Sequence, residues 1–452
     1  MIRSFTFAAA LAVAAPAYAQ QHDHGAHHGE PQPQPQPQTH DQNQNHQQHD
    51  HSQHQAAAPD HSAHQGHDMQ TSALGPYASG RDASGTAWQP DVSSHGGVHG
   101  EAGDWMLMGH VMLNGVYAWS EGPRGDEKGF LAGMIMGSAR RDFSQGTLNL
   151  RAMLSPDPFM GGNGYPLLLA AGESADGATP LVDRQHPHDL FMELSASYAH
   201  RLDARQSLFV YAGLPGEPAF GPPAFMHRMA AMDSPEAPIT HHWFDSTHIT
   251  FGVVTAGYVN GDWKIEASQF RGREPDHRRY DIETGALDST SVRLSWNPSK
   301  NLALQVSYAN VESPEALHPD DDEERYSASA IYTRAIGADG WWSLTGAFSR
   351  KQRSDGTELD AFLAEAAVHP NERWTVFARG EAIETDELGA HHGPIENVSR
   401  LSLGAIRDFR LNEYAVFGVG ALVQQHWVSN ALEPSYDGDP MGGMAFVRLK
   451  IG

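Results

Sequence analysis

Between residues 104 and 452, apolar and polar side chains alternate with period two in segments of about ten residues bounded by turn-forming residues. In 301–311, Leu302, Leu304, Val306 and Tyr308 share one face, and Ala303, Gln305, Ser307 and Ala309 share the other. Segment 291–296 sets Val292, Leu294 and Trp296 against Arg293 and Ser295; segment 374–381 sets Trp374, Val376 and Ala378 against Thr375, Arg379 and Glu381. The pattern predicts strands with one greasy face and one small or polar face. A soluble sandwich would produce it as well, so periodicity alone does not fix the fold.

The connections separate the two. Tight joints fall near Phe143-Ser144, Asp203-Ala204, Asn260-Gly261-Asp262, Asn297-Pro298-Ser299-Lys300, Gly337-Ala338-Asp339, His369-Pro370-Asn371 and Arg410-Leu411-Asn412. They alternate with longer polar loops over 121–127, 156–189, 215–245, 272–286, 312–324, 351–357, 385–397 and 429–440. Seven short and eight long joints in strict alternation predict an all-β, transmembrane antiparallel β-barrel of about 16 strands (range 12–16), with both ends on the short-turn side. Short turns on one side and long loops on the other is the outer-membrane arrangement, placing lipid against the barrel wall. Trp105, Trp119, Trp263, Trp296, Trp341, Trp342, Trp374 and Trp427 mark strand ends suited to the two interfaces. The last segment, 444–451, alternates Ala445, Val447, Leu449 and Ile451 against Phe446, Arg448 and Lys450, as a closing strand would, although the chain ends in Gly452 rather than an aromatic residue.

The N-terminus changes character twice. Arg3, the apolar run 5–15 and Ala17-Tyr18-Ala19 read as a secretory signal peptide over 1–19. Residues 20–102 are rich in Gln, His and Pro, with almost no apolar side chains between 21 and 70, and are expected to form a disordered tail. The Pro-Gln alternation over 31–38 favours an extended spacer. Twelve histidines precede residue 70: His22, His24, His27, His28, His40, His46, His49, His51, His54, His61, His64 and His67. The pattern D-H-S-x-H-Q occurs at 50–55 and again at 60–65. Imidazoles beside carboxylates suit Cu, Zn or Ni ions, so the tail is expected to take up transition metal; the plainer alternative is a solvated tether.

Composition narrows the partners. Thirty Lys and Arg against 55 Asp and Glu give a formal net charge of −25, which excludes nucleic acid as a partner. With no cysteine in an exported chain, no disulfide framework holds the fold. Lys264, Glu266, Arg293, Arg379, Glu381, Arg400, Arg448 and Lys450 fall on the predicted lumen face with both signs mixed, and loop acids 320–324 would draw cations to the mouth.

The two longest loops hold the sharpest chemistry. His186-Pro187-His188 places two imidazoles on one face of extended backbone. The next loop carries Met226, His227 and Met229, with a short helix expected over 225–233 that sets both methionines on one face, followed by His241, His242 and His248. Imidazole with thioether suits copper. A hydrophobic plug at the methionines and an interfacial girdle at His241-His242-Trp243 are the alternatives. Ser195, Ser197 and His200 lie close in sequence, but His200 falls on the opposite strand face, so no enzyme is expected.

With its signal, its D-H-S-bearing His-rich tail and its barrel-like remainder, the chain resembles outer-membrane barrel proteins of bacterial copper and heavy-metal tolerance, such as the copper-resistance B-type proteins. That resemblance covers the tail and the general plan. It implies transition-metal binding, tolerance or passage at the outer membrane, with the tail in the periplasm and periplasmic metal-handling proteins as partners. A general porin with an incidental tail and an outer-membrane hydrolase are the alternatives from other classes.

Overall fold

The computed structural model describes residues 71–452 apart from residue 95 and residues 390–392. The signal over 1–19 and the tail histidines from His22 to His67 lie outside the described residues. In chain order the strands are β1 (Val98–Ala102), β2 (Trp105–Ser120), β3 (Glu127–Asp142), β4 (Gly146–Leu154), β5 (Tyr165–Ser174), β6 (Pro180–Gln185), β7 (Phe191–Arg201), β8 (Gln206–Gly213), β9 (Val253–Asn260) and β10 (Trp263–Phe270). They continue as β11 (Ser289–Ser299), β12 (Leu302–Val311), β13 (Glu323–Ile336), β14 (Gly340–Arg353), β15 (Glu358–Asn371), β16 (Trp374–Thr385), β17 (Glu396–Arg410), β18 (Ala415–Trp427) and β19 (Met441–Ile451).

All but β1, β5 and β6 form one closed antiparallel ring of sixteen strands, sealed where β19 pairs with β2 from Ile451↔Val111 to Gly442↔Ser120. Closure leaves no strand edge, the only way a sheet satisfies its backbone in lipid. The wall is inside out relative to a soluble protein. Val292, Leu294, Val306, Val376, Leu401, Leu403 and Val447 are exposed outward, while Arg293, Ser295, Gln305, Thr375, Arg379 and Arg400 are buried inward. This is the wall of an outer-membrane barrel.

The seven tight and eight long joints are all present, with two of the tight ones shifted. β11 runs through Pro298 to Ser299 and β15 through Pro370 to Asn371, so those turns tighten onto residues 300–301 and 372–373. The tryptophans sit at strand ends, and Trp263 stacks on Trp296 across β10–β11 at 4.7 Å. Trp341 departs from the expected girdle: it packs against the lumen core and stacks on His369.

Three segments fill the lumen. The hairpin β5–β6 of the 155–190 loop enters it, with Leu167, Leu168 and Leu169 almost fully buried. The 214–252 loop is buried along nearly its whole length. The third is a surprise, because the sequence places it in the tail: residues 71–94 fold inside the short-turn end, and β1 turns back on β2. Its few apolar groups, Leu74, Tyr77 and Trp88, pack on Ala199, Phe209 and Val259. Wall polar groups do the rest. Lys264 donates to the Thr86 carbonyl, Arg293 to the Thr86 hydroxyl, Asn297 to the Gln89 carbonyl, and Arg81 pairs with Asp91 while donating to the Gly261 carbonyl.

Candidate functional site

The wall charges that the sequence assigns to the lumen mostly hold the 214–252 loop. Arg228 of that loop is fully buried between Glu365 on β15 (2.7 Å) and its own Asp245 (2.9 Å). Arg379 and Arg400 face Glu236, and Arg448 meets Asp233. Opposite charges in a water-poor lumen interact strongly, and removing one member of such a pair costs about 3–5 kcal/mol. The loop is thereby fixed at both ends.

Between these anchors lies α1 (His241–Phe244), held to the wall where Trp243 donates to the Leu359 carbonyl and lies under the Lys351 ammonium. The helix presents His241 and His242, a following turn presents His248, and the strand end after β6 presents His186 and His188. The five rings converge. Centroid separations are 5.1 Å for His188–His248, 5.2 Å for His241–His248, 5.6 Å for both His241–His242 and His186–His242, 6.1 Å for His186–His241 and 6.5 Å for His188–His241. Two imidazoles on one tetrahedral ion, each with a metal–nitrogen bond of about 2.0–2.1 Å, would stand with centroids roughly 5 Å apart.

Hydrogen bonds assign the nitrogens. His188 Nδ1 lies 2.8 Å from Asp157, His241 Nδ1 2.7 Å from Asp245, and His248 Nδ1 2.6 Å from the Asp245 carbonyl. Carboxylates and carbonyls only accept, so each Nδ1 carries the proton and each Nε2 keeps its lone pair. Nε2 of His188 and of His248 is buried without a hydrogen-bond partner. Outward Nδ1–carboxylate contacts of this kind orient metal-binding imidazoles. His186 and His242 are engaged differently: His186 Nε2 meets Glu173 at 3.1 Å, and His242 Nδ1 meets Glu274 at 3.5 Å.

Burial pushes His248 and His186 well below the ordinary imidazole range, and it lowers His241 despite Asp245. Burial also opposes charge on His242, but Glu274 outweighs it and raises that ring to about 9, making it a cation at neutral pH. His188, His241 and His248 are the three rings whose Nδ1–H is tied to an acceptor, leaving Nε2 to face an ion. Among the described residues no three His, Asp or Glu side chains surround a common point at coordination distance.

Met226, His227 and Met229 lie in the same infolded loop, but the helix expected over 225–233 shrinks to a single 3-10 turn, Phe225–His227. It stops there because Arg228 turns to Glu365 and Asp245. Met229 is buried, and Met226 packs partly between two apolar clusters. His241-His242-Trp243 lies in the lumen rather than at a lipid interface. Sequence reasoning missed Asp157, Glu173 and Glu274, which come from separate loops and strands; Asp245, four residues beyond His241 in one helical turn, carried a readable signal. Ser195 donates to Glu193 and Ser197 is buried, while His200 is exposed.

A small cavity of about 30 Å³ opens among the long loops, lined by Glu173, Glu274, Asp276, His277 and Glu315. Two of these carboxylates hold His186 and His242. Gly172 makes room for the cluster: at its φ of 109° a Cβ would stand 2.8 Å from His242 Cε1.

No protein-family model and no curated protein matches the sequence. Solved structures of similar form include the anion-selective porin from Comamonas acidovorans, at 9% identity over 77% of this chain and 100% of that one, TM-score 0.47. The Salmonella typhi OmpF complex with daunomycin aligns at 9% identity over 78% and 100%, TM-score 0.48. The outer membrane channel DcaP of Acinetobacter baumannii aligns at 8% identity over 79% and 100%, TM-score 0.44. The chain is an outer-membrane β-barrel in form, and its chemistry has to be read from its own lumen.

Proposed function

We propose that the barrel binds a divalent transition-metal ion, copper or zinc foremost, on His188, His241 and His248, as part of metal passage or tolerance at the outer membrane. One observation carries this: three imidazoles from two infolded loops converge with their Nδ1 protons tied to Asp157 and Asp245. The Nε2 lone pairs that result are the donors such ions take. The acidic cavity among the long loops supports cation capture from that side. The copper-tolerance resemblance, with a metal-collecting periplasmic tail, belongs to the same proposal.

The second reading, a general porin, is favoured by the strand number, since barrels of 16–18 strands leave an aqueous channel. Three infolded segments occupy that space here, and the porin reading requires them to leave a continuous water path. Calorimetric titration of the detergent-solubilised full chain with Zn(II) and Cu(II) tests the proposal. The proposal expects a tight site near one ion per chain that is lost in His188→Ala and His248→Ala. Unchanged binding in both variants, with appreciable conductance in planar bilayers, would leave the porin reading standing.

A further inference from the structure

The lumen wall beside the imidazoles is unlike the rest of the barrel. The inward positions of β10 to β18 are rich in Lys, Glu, Arg, Ser and Thr, whereas β2, β3, β4 and β7 add methionines to theirs: Met112 between His110 and Asn114, Met134 and Met136, Met153 beyond Arg151, and Met192 beside Glu193. Met112, Met134, Met153 and Met192 form one buried cluster with Ile249 and Phe251, and Met136 and Met226 pack against it. Strand register sets these side chains against one another. Met112 pairs directly with Met134, and Met136 pairs with Met153 on its other side, so four thioethers occupy adjacent inward positions of three neighbouring strands. Directly opposed side chains on one sheet face lie about 4.5–5.5 Å apart at Cβ. Within that distance long, unbranched methionines reach a common point.

The cluster also adjoins the imidazole site through the chain itself. Ile249 follows His248, and Met226 follows Phe225, whose ring packs 6.3 Å from His188 and 5.8 Å from His241. A hydrophobic patch at this place would be served equally well by Leu, which is better defined in conformation; six methionines packed in and against one cluster add polarisable lone pairs. Thioethers are weak ligands for hard or borderline ions and good ones for soft monovalent d10 ions.

We infer that the methionine cluster is a second ion site, a thioether site for a soft monovalent cation such as Cu(I) or Ag(I), adjoining the imidazole site. It rests on the proposed role of the lumen in ion binding but uses different atoms. The site is formed by Met112, Met134, Met136 and Met153 on the wall, with Met192 and Met226 closing it from the loop side. Binding involves no redox step: the ion exchanges water for sulfur, and neither changes charge.

Silver is the probe, because Ag(I), unlike Cu(I), stays monovalent in air without an added reductant. The full chain has no cysteine, so any sulfur bound to silver is methionine sulfur. X-ray absorption at the silver edge on the full-length protein with one equivalent of Ag(I) should show two or three sulfur neighbours. The triple variant Met112→Leu, Met134→Leu and Met153→Leu keeps volume and apolar character, a swap that cores tolerate. Its Ag(I) affinity should fall at least tenfold and the sulfur signal should diminish, while Zn(II) binding stays as in the parent. Silver bound only by nitrogen or oxygen in the parent protein overturns the inference without reference to any variant, as does an unchanged sulfur signal in the triple variant. His188→Ala with His248→Ala separates the two sites: loss of Zn(II) with retained silver–sulfur ligation supports both, and retained Zn(II) with sulfur ligation overturns only the imidazole site.

Discussion

Asp245→Asn tests whether the imidazoles are held for metal rather than merely packed. Asp245 accepts from His241 Nδ1 on one oxygen, and from Arg228 Nη1 and the Phe225 amide, both at 2.9 Å, on the other. An asparagine has one accepting oxygen. The two donors on the Arg228 side, one of them charged, will claim it, turning the amide NH2 toward His241. Nδ1 must then accept, the ring changes tautomer, and the proton moves to Nε2, where the metal would bind. Arg228 keeps both bonds to Glu365 and its bond to the Pro223 carbonyl, so the loop stays anchored.

Loss of an outer hydrogen-bond partner of this kind lowers metal affinity by about 10–100-fold, equivalent to roughly 1.4–2.8 kcal/mol. Calorimetry with Zn(II) on the full-length protein, with the urea midpoint as a folding control, reads this directly. Zn(II) affinity within twofold of the parent, in a protein that retains its urea midpoint, would refute the assignment of His241 as a ligand. The same result in Asp157→Asn would extend the refutation to His188.

Three further outcomes follow from the lumen. Below pH 6.5 the unfolded chain protonates imidazoles that burial keeps neutral in His186, His241 and His248. The folded state should therefore lose stability as pH falls from about 6.5 toward their lowered values, and a urea midpoint that is flat from pH 7 to 5 would contradict that burial. Gly172→Ala places a Cβ against His242 at a positive φ, and should cost about 1–3 kcal/mol in urea unfolding and weaken the Zn(II) site, whereas Gly346→Ala, with open space around it, should do neither. Deleting residues 71–94 removes Thr86 as a partner of Lys264 and Arg293, which keep Glu266, and uncovers the short-turn mouth. Single-channel conductance in planar bilayers should rise, and equal conductance with and without the segment would show that it does not obstruct the lumen.

The barrel was legible because lipid imposes a strict rule on every second residue. Val292, Leu294 and Trp296 had to be apolar, while Arg293 and Ser295 were free to be polar, and the even spacing of turns carried the strand count. The same logic misled at residues 71–102. A segment with few apolar residues cannot drive its own folding in water, so its composition reads as disorder. Its partner here is a polar lumen, and Thr86 and Gln89 are held by Lys264, Arg293 and Asn297, contacts that span 178 to 208 residues of sequence. A chain that folds against charges need not look hydrophobic.

For the site, residue type was readable and arrangement was not. His186, His188, His241, His242 and His248 stand out by composition, yet sequence cannot tell which nitrogen of each ring carries its proton or which ring is charged. That division is made by carboxylates, of which only Asp245 is a near neighbour in sequence: Asp157 and Asp245 fix protons on Nδ1 of His188 and His241, while Glu274 turns His242 into a cation and Glu173 occupies His186 Nε2. The helix expected to align Met226 and Met229 is a single 3-10 turn, and of the two only Met226 packs against the methionine cluster. The gathered sulfurs come instead from period-two positions in the wall. Met112, Met134 and Met136 each lie on the inward face of a strand that was already identified, and reading that face for ligand chemistry as well as for polarity would have found them. In a closed barrel the inward face is the only surface shared by residues distant in sequence, so it is where lone pairs from separate strands and loops can meet.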